Sequence, residues 1–296
     1  MSDTTARLKL RLSGARELQS VVRTMKSLAA SSIGQYQTAV RALSDYSRAA
    51  DLGLGACLRE RSLVSPAAAE RSVDAGRAVV VVFGSDQGLV GQFNDLVADF
   101  AVKSLQGVHG EPHVWAVGER VHVRLKDRGL APAGVYGVPS SVAGITSLVD
   151  QILSQALGSD AAAHLGALSV FYNRSSSGAR FAPVREVLLP LNDIWRRAHA
   201  AVGWPTKTRP ELMGGSTVVL RALLQEYLFV SLFRASAESL ASENASRLAA
   251  MERAEKNIKD SLERLEGAFH RVRQASIDEE LFDVVAGFEA SSIPVG

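Results

Sequence analysis

The sequence predicts an α/β protein in which two long helices, one at each end of the chain, pair as an antiparallel coiled coil around a small inserted α/β domain. Apolar residues at both ends recur with a coiled-coil period. Short runs of β-branched residues alternate with amphipathic segments in the middle of the chain. Proline, which would break a long helix, is absent before Pro66 and between Pro210 and Pro294. The predicted regions are a first helix in residues 1–58, an insert over 77–191 and a last helix in 211–290.

The first helix is predicted from an apolar stripe that advances 35 residues in ten steps, a mean of 3.5. This mean is the period of a left-handed coiled coil, whereas a free helix repeats every 3.6 residues. The stripe consists of Leu8, Leu12, Ala15, Leu18, Val22, Met25, Ala29, Ile33, Tyr36, Val40 and Leu43. It predicts one helix from about residue 4 to about residue 58.

The last helix is predicted from a similar stripe, which advances 24 residues in seven steps and has one polar member, Glu255. The stripe consists of Leu248, Met251, Glu255, Ile258, Leu262, Leu265, Phe269 and Val272. A helix of roughly 70 residues far exceeds the ordinary length in globular proteins and needs a partner along it. The first helix is the partner we expect.

The insert is predicted from strand and helix signals that alternate along the chain. The strands are predicted at 79–84, 113–117, 133–137, 167–173 and 181–189, and the helices at 92–105, 119–126 and 141–157. The last two strands flank the turn-rich RSSSGAR and form a hairpin, while the others form a mostly parallel, Rossmann-like sheet. Residues 59–76 and 192–210 are rich in polar groups and are interpreted as connectors.

Composition excludes several classes of function. The 33 basic and 31 acidic residues leave a net charge of +2, which gives no reason to expect nucleic-acid binding. Cys57 is the only cysteine, so no internal disulfide forms and a reducing compartment is expected. The polar N-terminus lacks a secretion signal, and no apolar run approaches the ~20 residues that span a bilayer. We expect a soluble protein that reaches a membrane only through a partner.

The segment GSDQGLVGQFN (84–94) follows a β-branched run and resembles a phosphate-binding loop. A P-loop needs a lysine after its last glycine, and the dinucleotide fingerprint needs a different glycine spacing. We therefore interpret Ser85, Asp86, Gly88 and Gly91 as a structural turn, with the phosphate cradle as the alternative. Asp86 is either a catalytic carboxylate or a capping side chain, and the cap is favoured.

No other motif predicts an active site, a metal or a cofactor. His109 and His113 are four residues apart, but the intervening GEP breaks any helix that would stack them as metal ligands. Ser85 and Ser216 lack the context of a nucleophile elbow. Trp115, Trp195 and Trp204 are interpreted as packing residues.

Charge on the helices suggests partners. Six basic residues lie between residues 6 and 30 against one acid, Glu17. They are Arg7, Lys9, Arg11, Arg16, Arg23 and Lys26. They form either a solvated helix face or a positive surface directed at an acidic partner. Farther along, the sequence changes from basic at Arg271 and Arg273 to acidic at 278–283.

Motifs at both ends resemble the gamma subunit of F-type ATP synthases. LQSVVRTMKSLAASSI (18–33) is similar to its N-terminal helix, and ESLASENASRLAAMERAEKNI (238–258) with RQASIDEELFDVVAG (273–287) to its C-terminal helix. GSDQGLVGQFN is similar to its S-D-R-G-L-C-G-G-x-N turn, although Gln87, Val90 and Gln92 depart from that pattern. Leu18 and Val22, in place of threonines, resemble the alternate F-type ATPases associated with sodium transport.

The resemblance implies a non-catalytic rotor shaft. Its coiled coil would stand inside the hexamer of alpha and beta subunits, with the epsilon subunit and the membrane c-ring as further partners, on the cytoplasmic face of a bacterial inner membrane. It would couple ATP synthesis or hydrolysis to H+ or Na+ transport. By motif, the residues that would contact the catalytic subunits are Arg23, Met25, Lys26, Arg247, Arg273, Gln274 and Glu280. Asp278 stands where the family often has threonine.

Two rival interpretations come from other classes of protein. One is an α/β nucleotide-binding enzyme with a helical dimerisation arm, which a titration with ATP and NAD would detect. The other is a coiled-coil scaffold with an unrelated cargo domain, which would recover neither the hexamer nor the ion ring from native membranes.

Overall fold

The computed structural model describes residues 2–62, 77–106, 111–158, 165–176, 181–208, 210–211 and 216–291. The helices are α1 Ser2–Ser62, α2 Phe93–Leu105, α3 Glu119–Asp127, α4 Val142–Leu157, α5 Asp193–Ala201 and α6 Ser216–Ser291. The strands are β1 Arg77–Phe83, β2 His113–Val117, β3 Gly134–Tyr136, β4 Leu165–Ser175 and β5 Phe181–Leu189. Predicted His109 and most of the predicted hairpin turn lie outside the described residues.

The five strands form one sheet in the order β3-β2-β1-β4-β5. β1 pairs parallel to β2 and to β4, and β2 pairs parallel to β3. β4 and β5 pair antiparallel, as the predicted hairpin requires. The prediction of a mostly parallel sheet between two long helices is confirmed.

β1 lies at the centre of the sheet and is buried on both faces, because side chains alternate along a strand. Val79, Val81 and Phe83 pack on one face in a core shared with α4, with α6 around Leu228 and Leu232, and with Tyr36 of α1. Val80 and Val82 pack on the other face in a core shared with α2 and α3. An unbroken run of valines fits this position, since each face needs an apolar side chain.

The chain divides into two compact units, and α1 and α6 contribute to both. The central unit is Ala29–Arg247, and the terminal unit is Met1–Leu28 with Leu248–Gly296. In the terminal unit, Arg16 pairs with Glu266 and Lys26 pairs with Glu255, each at 2.8 Å. Residue numbers rise in α1 as they fall in α6, so the two helices run antiparallel there, as predicted.

One member of the predicted N-terminal stripe is wrong. Leu18 is 60% exposed, whereas Leu12 is buried and Gln19 is half-buried. Successive residues of a helix point about 100° apart around its axis. Leu18, one residue before Gln19, therefore lies off the buried face of α1. The buried face therefore continues from Ala15 to Gln19. A polar residue occupies the position that the apolar pattern assigned to Leu18.

α5 lies in the segment that the sequence analysis interpreted only as a connector. Asn192 caps it, because its Oδ1 accepts a hydrogen bond from the backbone N–H of Trp195 at 2.7 Å. The rings of Trp195 and His199 stack with centroids 3.7 Å apart, and Tyr227 packs edge-on against Trp195 at 5.0 Å. This nine-residue helix is too short to give a clear apolar period, and packing on α6 stabilises it.

No helix in the described part of the chain is long and apolar enough to cross a membrane.

Candidate functional site

The turn after β1 is held by the carboxylate of Asp86. Its Oδ1 accepts a hydrogen bond from the backbone N–H of Glu119 at 2.9 Å, and its Oδ2 accepts one from Val138 at 2.8 Å. Asp86 thus caps the start of α3 and ties it to the segment after β3. Both oxygens are engaged by backbone groups, which is the arrangement of an anchor rather than of a catalytic acid or base.

The crevice beside this turn is filled by the protein itself. In parallel sheets, ligands bind outside the carboxyl ends of the strands where the strand order reverses, which here is between β1 and β4. Asn94 Nδ2 donates to Ser85 Oγ at 2.8 Å, and Asn173 Nδ2 donates to the Phe93 carbonyl at 2.9 Å. Ser246 of α6 donates to the Val90 carbonyl at 2.6 Å. These contacts favour the turn over the phosphate cradle.

Glycines allow the close packing of the turn. A Cβ on Gly84 would lie 2.3 Å from the Val121 Cβ, so no larger residue fits without movement. Gly91 has φ +57°, a backbone conformation that side chains disfavour. Gly88 has no comparable crowding, since a Cβ there would have only the tip of Arg120 within reach, at 3.8 Å.

A buried ion pair lies on α6 near this turn. Arg247 Nη2 donates to Glu243 Oε1 at 2.6 Å, and the two side chains are only 12% and 6% exposed. Burial raises the pKa of Glu243, and Arg247 opposes that rise. Glu243 Oε2 accepts no hydrogen bond from any described residue. Arg247, a predicted contact residue, therefore has its guanidinium engaged inside the central unit.

An exposed ion cluster lies in the terminal unit. Glu255 accepts from Arg23 Nε at 3.1 Å through Oε1 and from Lys26 Nζ at 2.8 Å through Oε2. The Arg23 and Lys26 side chains are 63% and 38% exposed. The hydrogen bond from Lys26 lowers the pKa of Glu255, and the same bond raises the pKa of Lys26. Met25, between the two cations in sequence, is half-buried.

The remaining predicted contacts lie exposed toward the C-terminal end of α6. The side chains of Arg273, Gln274 and Glu280 make no hydrogen bond or ion pair with any residue that the structure describes, and all three residues are exposed. Apolar side chains lie around them, and four are more than half exposed. These are Ile277 at 52%, Leu281 at 61%, Phe282 at 73% and Val284 at 69%.

The structure thus brings Arg23 and Lys26 together on Glu255, and no hydrogen bond or ion pair among the described residues joins another predicted contact residue to this pair. Sequence analysis placed Glu255 in the seam but did not pair it with these cations, because that pairing depends on the register of two helices more than 200 residues apart. The Glu243–Arg247 pair carries a local signal that was missed, namely opposite charges at i and i+4 of one helix.

No group of three or more histidine, cysteine, aspartate or glutamate side chains in the described residues could hold a metal ion.

Comparison with known proteins gives a consistent result. Residues 4–290 match the family model described as ATP synthase. The ATP synthase gamma chain of Prosthecochloris aestuarii is 26% identical over 289 residues, covering 96% of this chain and 97% of the relative. That of Granulibacter bethesdensis is 28% identical over 299 residues, covering 96% and 98%. The fold is similar to a chain in the rotor of the Euglena gracilis mitochondrial ATP synthase, with a TM-score of 0.63, 16% identity and coverage of 94% and 100%.

Proposed function

Since the chain belongs to the ATP synthase family, whose model matches residues 4–290, we propose that it is the gamma chain of such a complex and acts as its central rotor shaft. It does no chemistry of its own. It transmits rotation between the membrane c-ring and the catalytic hexamer of alpha and beta subunits, and so couples ATP synthesis or hydrolysis to ion transport. Residues 1–58 and 211–290 form the shaft, and 77–191 form the domain that, with the epsilon subunit, meets the ring.

The observation that carries this proposal is the antiparallel pairing of α1 with α6. Ion pairs at Arg16–Glu266 and Lys26–Glu255 join the two helices in the terminal unit. A paired helix resists bending and twisting better than a single one, which a torque-bearing element requires. The filled crevice between β1 and β4 supports the non-catalytic part of the proposal. No observation on the described residues favours the nucleotide-binding enzyme.

The proposed contacts with the catalytic subunits are of two kinds. Arg23, Met25 and Lys26 would meet acidic segments of those subunits, and Arg247, Arg273, Gln274 and Glu280 would hydrogen-bond or ion-pair with their loops. The exposed apolar side chains around Leu281 and Phe282 would contact apolar surface of the hexamer, because contiguous exposed apolar surface commonly marks a site of protein–protein contact. The complex would lie on the cytoplasmic face of a bacterial inner membrane.

Charge reversal in the exposed cluster tests the proposal. Arg23→Glu with Lys26→Glu places two carboxylates where acidic segments of the partner approach, so repulsion replaces attraction. We expect ATP hydrolysis to continue while ions pumped per ATP fall severalfold in vesicles that hold the whole complex. Arg41→Glu with Arg48→Glu reverses the same charges elsewhere on α1 and serves as the control. Unchanged pumping per ATP in the first variant would contradict the proposed contacts.

Truncation tests the tip of the shaft. Ending the chain after Val272 removes Arg273 and Gln274 together with the exposed apolar residues Ile277, Leu281, Phe282 and Val284. We expect weaker coupling or a lower yield of assembled complex, measured by pumping per ATP and by recovery of the hexamer with the chain. Full assembly together with full coupling would show that the tip has no part in the function.

A further inference from the structure

We propose that Glu255 is a positioning residue that holds Arg23 and Lys26 ready to receive a carboxylate of the partner subunit. The inference rests on the proposed function, since it assigns a partner chemistry and an internal support to the same exposed cluster. Glu255 acts through Arg23 and Lys26 and need not touch the partner subunit itself.

The first argument is geometric. Glu255 uses one carboxylate oxygen for each cation, Oε1 for Arg23 at 3.1 Å and Oε2 for Lys26 at 2.8 Å. The two cations are three residues apart on α1, so they lie on one face of that helix. One side chain of α6 thereby fixes the spacing of two flexible side chains of α1.

The second argument concerns the donors that remain. Arg23 reaches Glu255 only through Nε, and both of its terminal nitrogens are left without a partner among the described residues. Those nitrogens form the fork that binds a carboxylate bidentately. Lys26 uses one of its three donors on Glu255. The cluster is therefore ordered yet unsaturated, which is the state of a preorganised binding surface.

The third argument is the charge around the cluster. Lys256 and Lys259 of α6 lie beside Arg23 and Lys26, while Glu252 and Glu255 are the acids of the same groove. Four cations against two carboxylates leave a net positive surface, and Arg23 is 63% exposed. A carboxylate-rich segment is the partner chemistry that fits. Glu255 lowers the repulsion between the two cations, so that both can face that segment at once.

The test compares glutamate, aspartate and glutamine at position 255 in the whole complex reconstituted into vesicles. Glu255→Gln removes the charge that orders both cations, and we expect ions pumped per ATP to fall about twofold, since exposed ion pairs change equilibria by small factors. Glu255→Asp retains the charge and should stay close to the unmodified complex. Glu266→Gln removes a single ion pair between the same two helices, to Arg16, and should leave pumping unchanged.

A double-mutant cycle separates positioning from a structural role. In an Arg23→Gln, Lys26→Gln background, Glu255→Gln should cause no further loss, because there is nothing left to position. An equal further loss, or pumping unaffected by Glu255→Gln alone, would overturn the inference. If reversal of Arg23 and Lys26 leaves pumping intact, the proposed contacts themselves fail. If that reversal uncouples the complex and Glu255→Gln does not, only the role of Glu255 is wrong.

Discussion

Glu243 and Glu255 are carboxylates of the same helix that hold basic side chains in opposite ways. Glu243 is 6% exposed and is bound by one arginine of its own helix. Glu255 is 24% exposed and is shared by two cations of α1. Burial raises the pKa of Glu243, whereas the hydrogen bond from Lys26 lowers the pKa of Glu255. Both are pairs of a carboxylate with basic side chains, and the difference in solvent exposure explains why their pKa values shift in opposite directions.

The difference indicates what each pair can do. A buried pair is costly to break, because either partner left alone is a charge without water. An exposed pair stabilises the fold little, but it leaves donor groups of its members available to a second partner. The Glu243–Arg247 pair of the central unit is therefore fixed in place, whereas the Glu255 cluster of the terminal unit keeps donor groups available to a partner.

The largest expected effect is at Arg247. Arg247→Ala leaves Glu243 buried without its cation, and we expect a loss of about 3 kcal/mol in the free energy of unfolding of the full chain, measured with urea. Arg23→Ala removes an exposed cation of the other cluster and should shift the urea midpoint hardly at all. Similar shifts for both variants would show that burial does not distinguish the two pairs.

Glycine substitutions sharpen the contrast between tight and open packing. Gly84→Ala places a Cβ 2.3 Å from that of Val121, and we expect a loss of about 2 kcal/mol from overpacking. Gly14→Ala lies in α1, where an added Cβ has no neighbour within 4 Å, and it should stabilise the chain by about 0.5–1 kcal/mol. Thermal and urea unfolding of both variants measure the difference. A stabilising Gly84→Ala would contradict the packing described for the turn.

The smallest expected effect is on the dependence of stability on pH. Glu255 has a lowered pKa, so its contribution is present above the unfolded value of 4.5 and is lost as the pH falls through the lowered one. Glu243 has a raised pKa, so its contribution is greatest below 4.5 and is lost as the pH rises through the raised one. We compare the free energy of unfolding of the unmodified chain minus that of each variant. This difference should fall on acidification for Glu255→Gln and should rise on acidification for Glu243→Gln. Urea unfolding midpoints of the three proteins, taken from about pH 7 downward, measure both differences. If the two differences changed in the same direction, the opposite pKa shifts of Glu255 and Glu243 would be wrong.

Local patterns were sufficient to predict most of the fold. The valines of β1 predict a strand buried on both faces, and Val79 and Val80 do pack into opposite cores. The heptad stripes predict the pairing of α1 with α6 because the period itself requires a partner. α5 escaped prediction because its stability comes from contacts with distant residues such as Tyr227.

The candidate site was less predictable, because its geometry depends on residues far apart in the chain. Asp86 was expected to cap or turn locally, but it binds backbone groups 33 and 52 residues away. Arg23 and Lys26 were chosen for their position in a motif, and only the register of the two helices reveals their shared counter-ion. Sequence patterns give the faces of elements, whereas such pairings require their relative placement.

Several apolar side chains near the C-terminal end of α6 are exposed, among them Phe282 at 73%. Their exposure affects how a cell must produce this chain. Apolar surface of this kind adheres to other apolar surface, including that of identical molecules. Under the proposed function, the newly made chain is therefore prone to self-association until the hexamer covers this surface. Its supply must therefore be matched in number and in time to that of the hexamer.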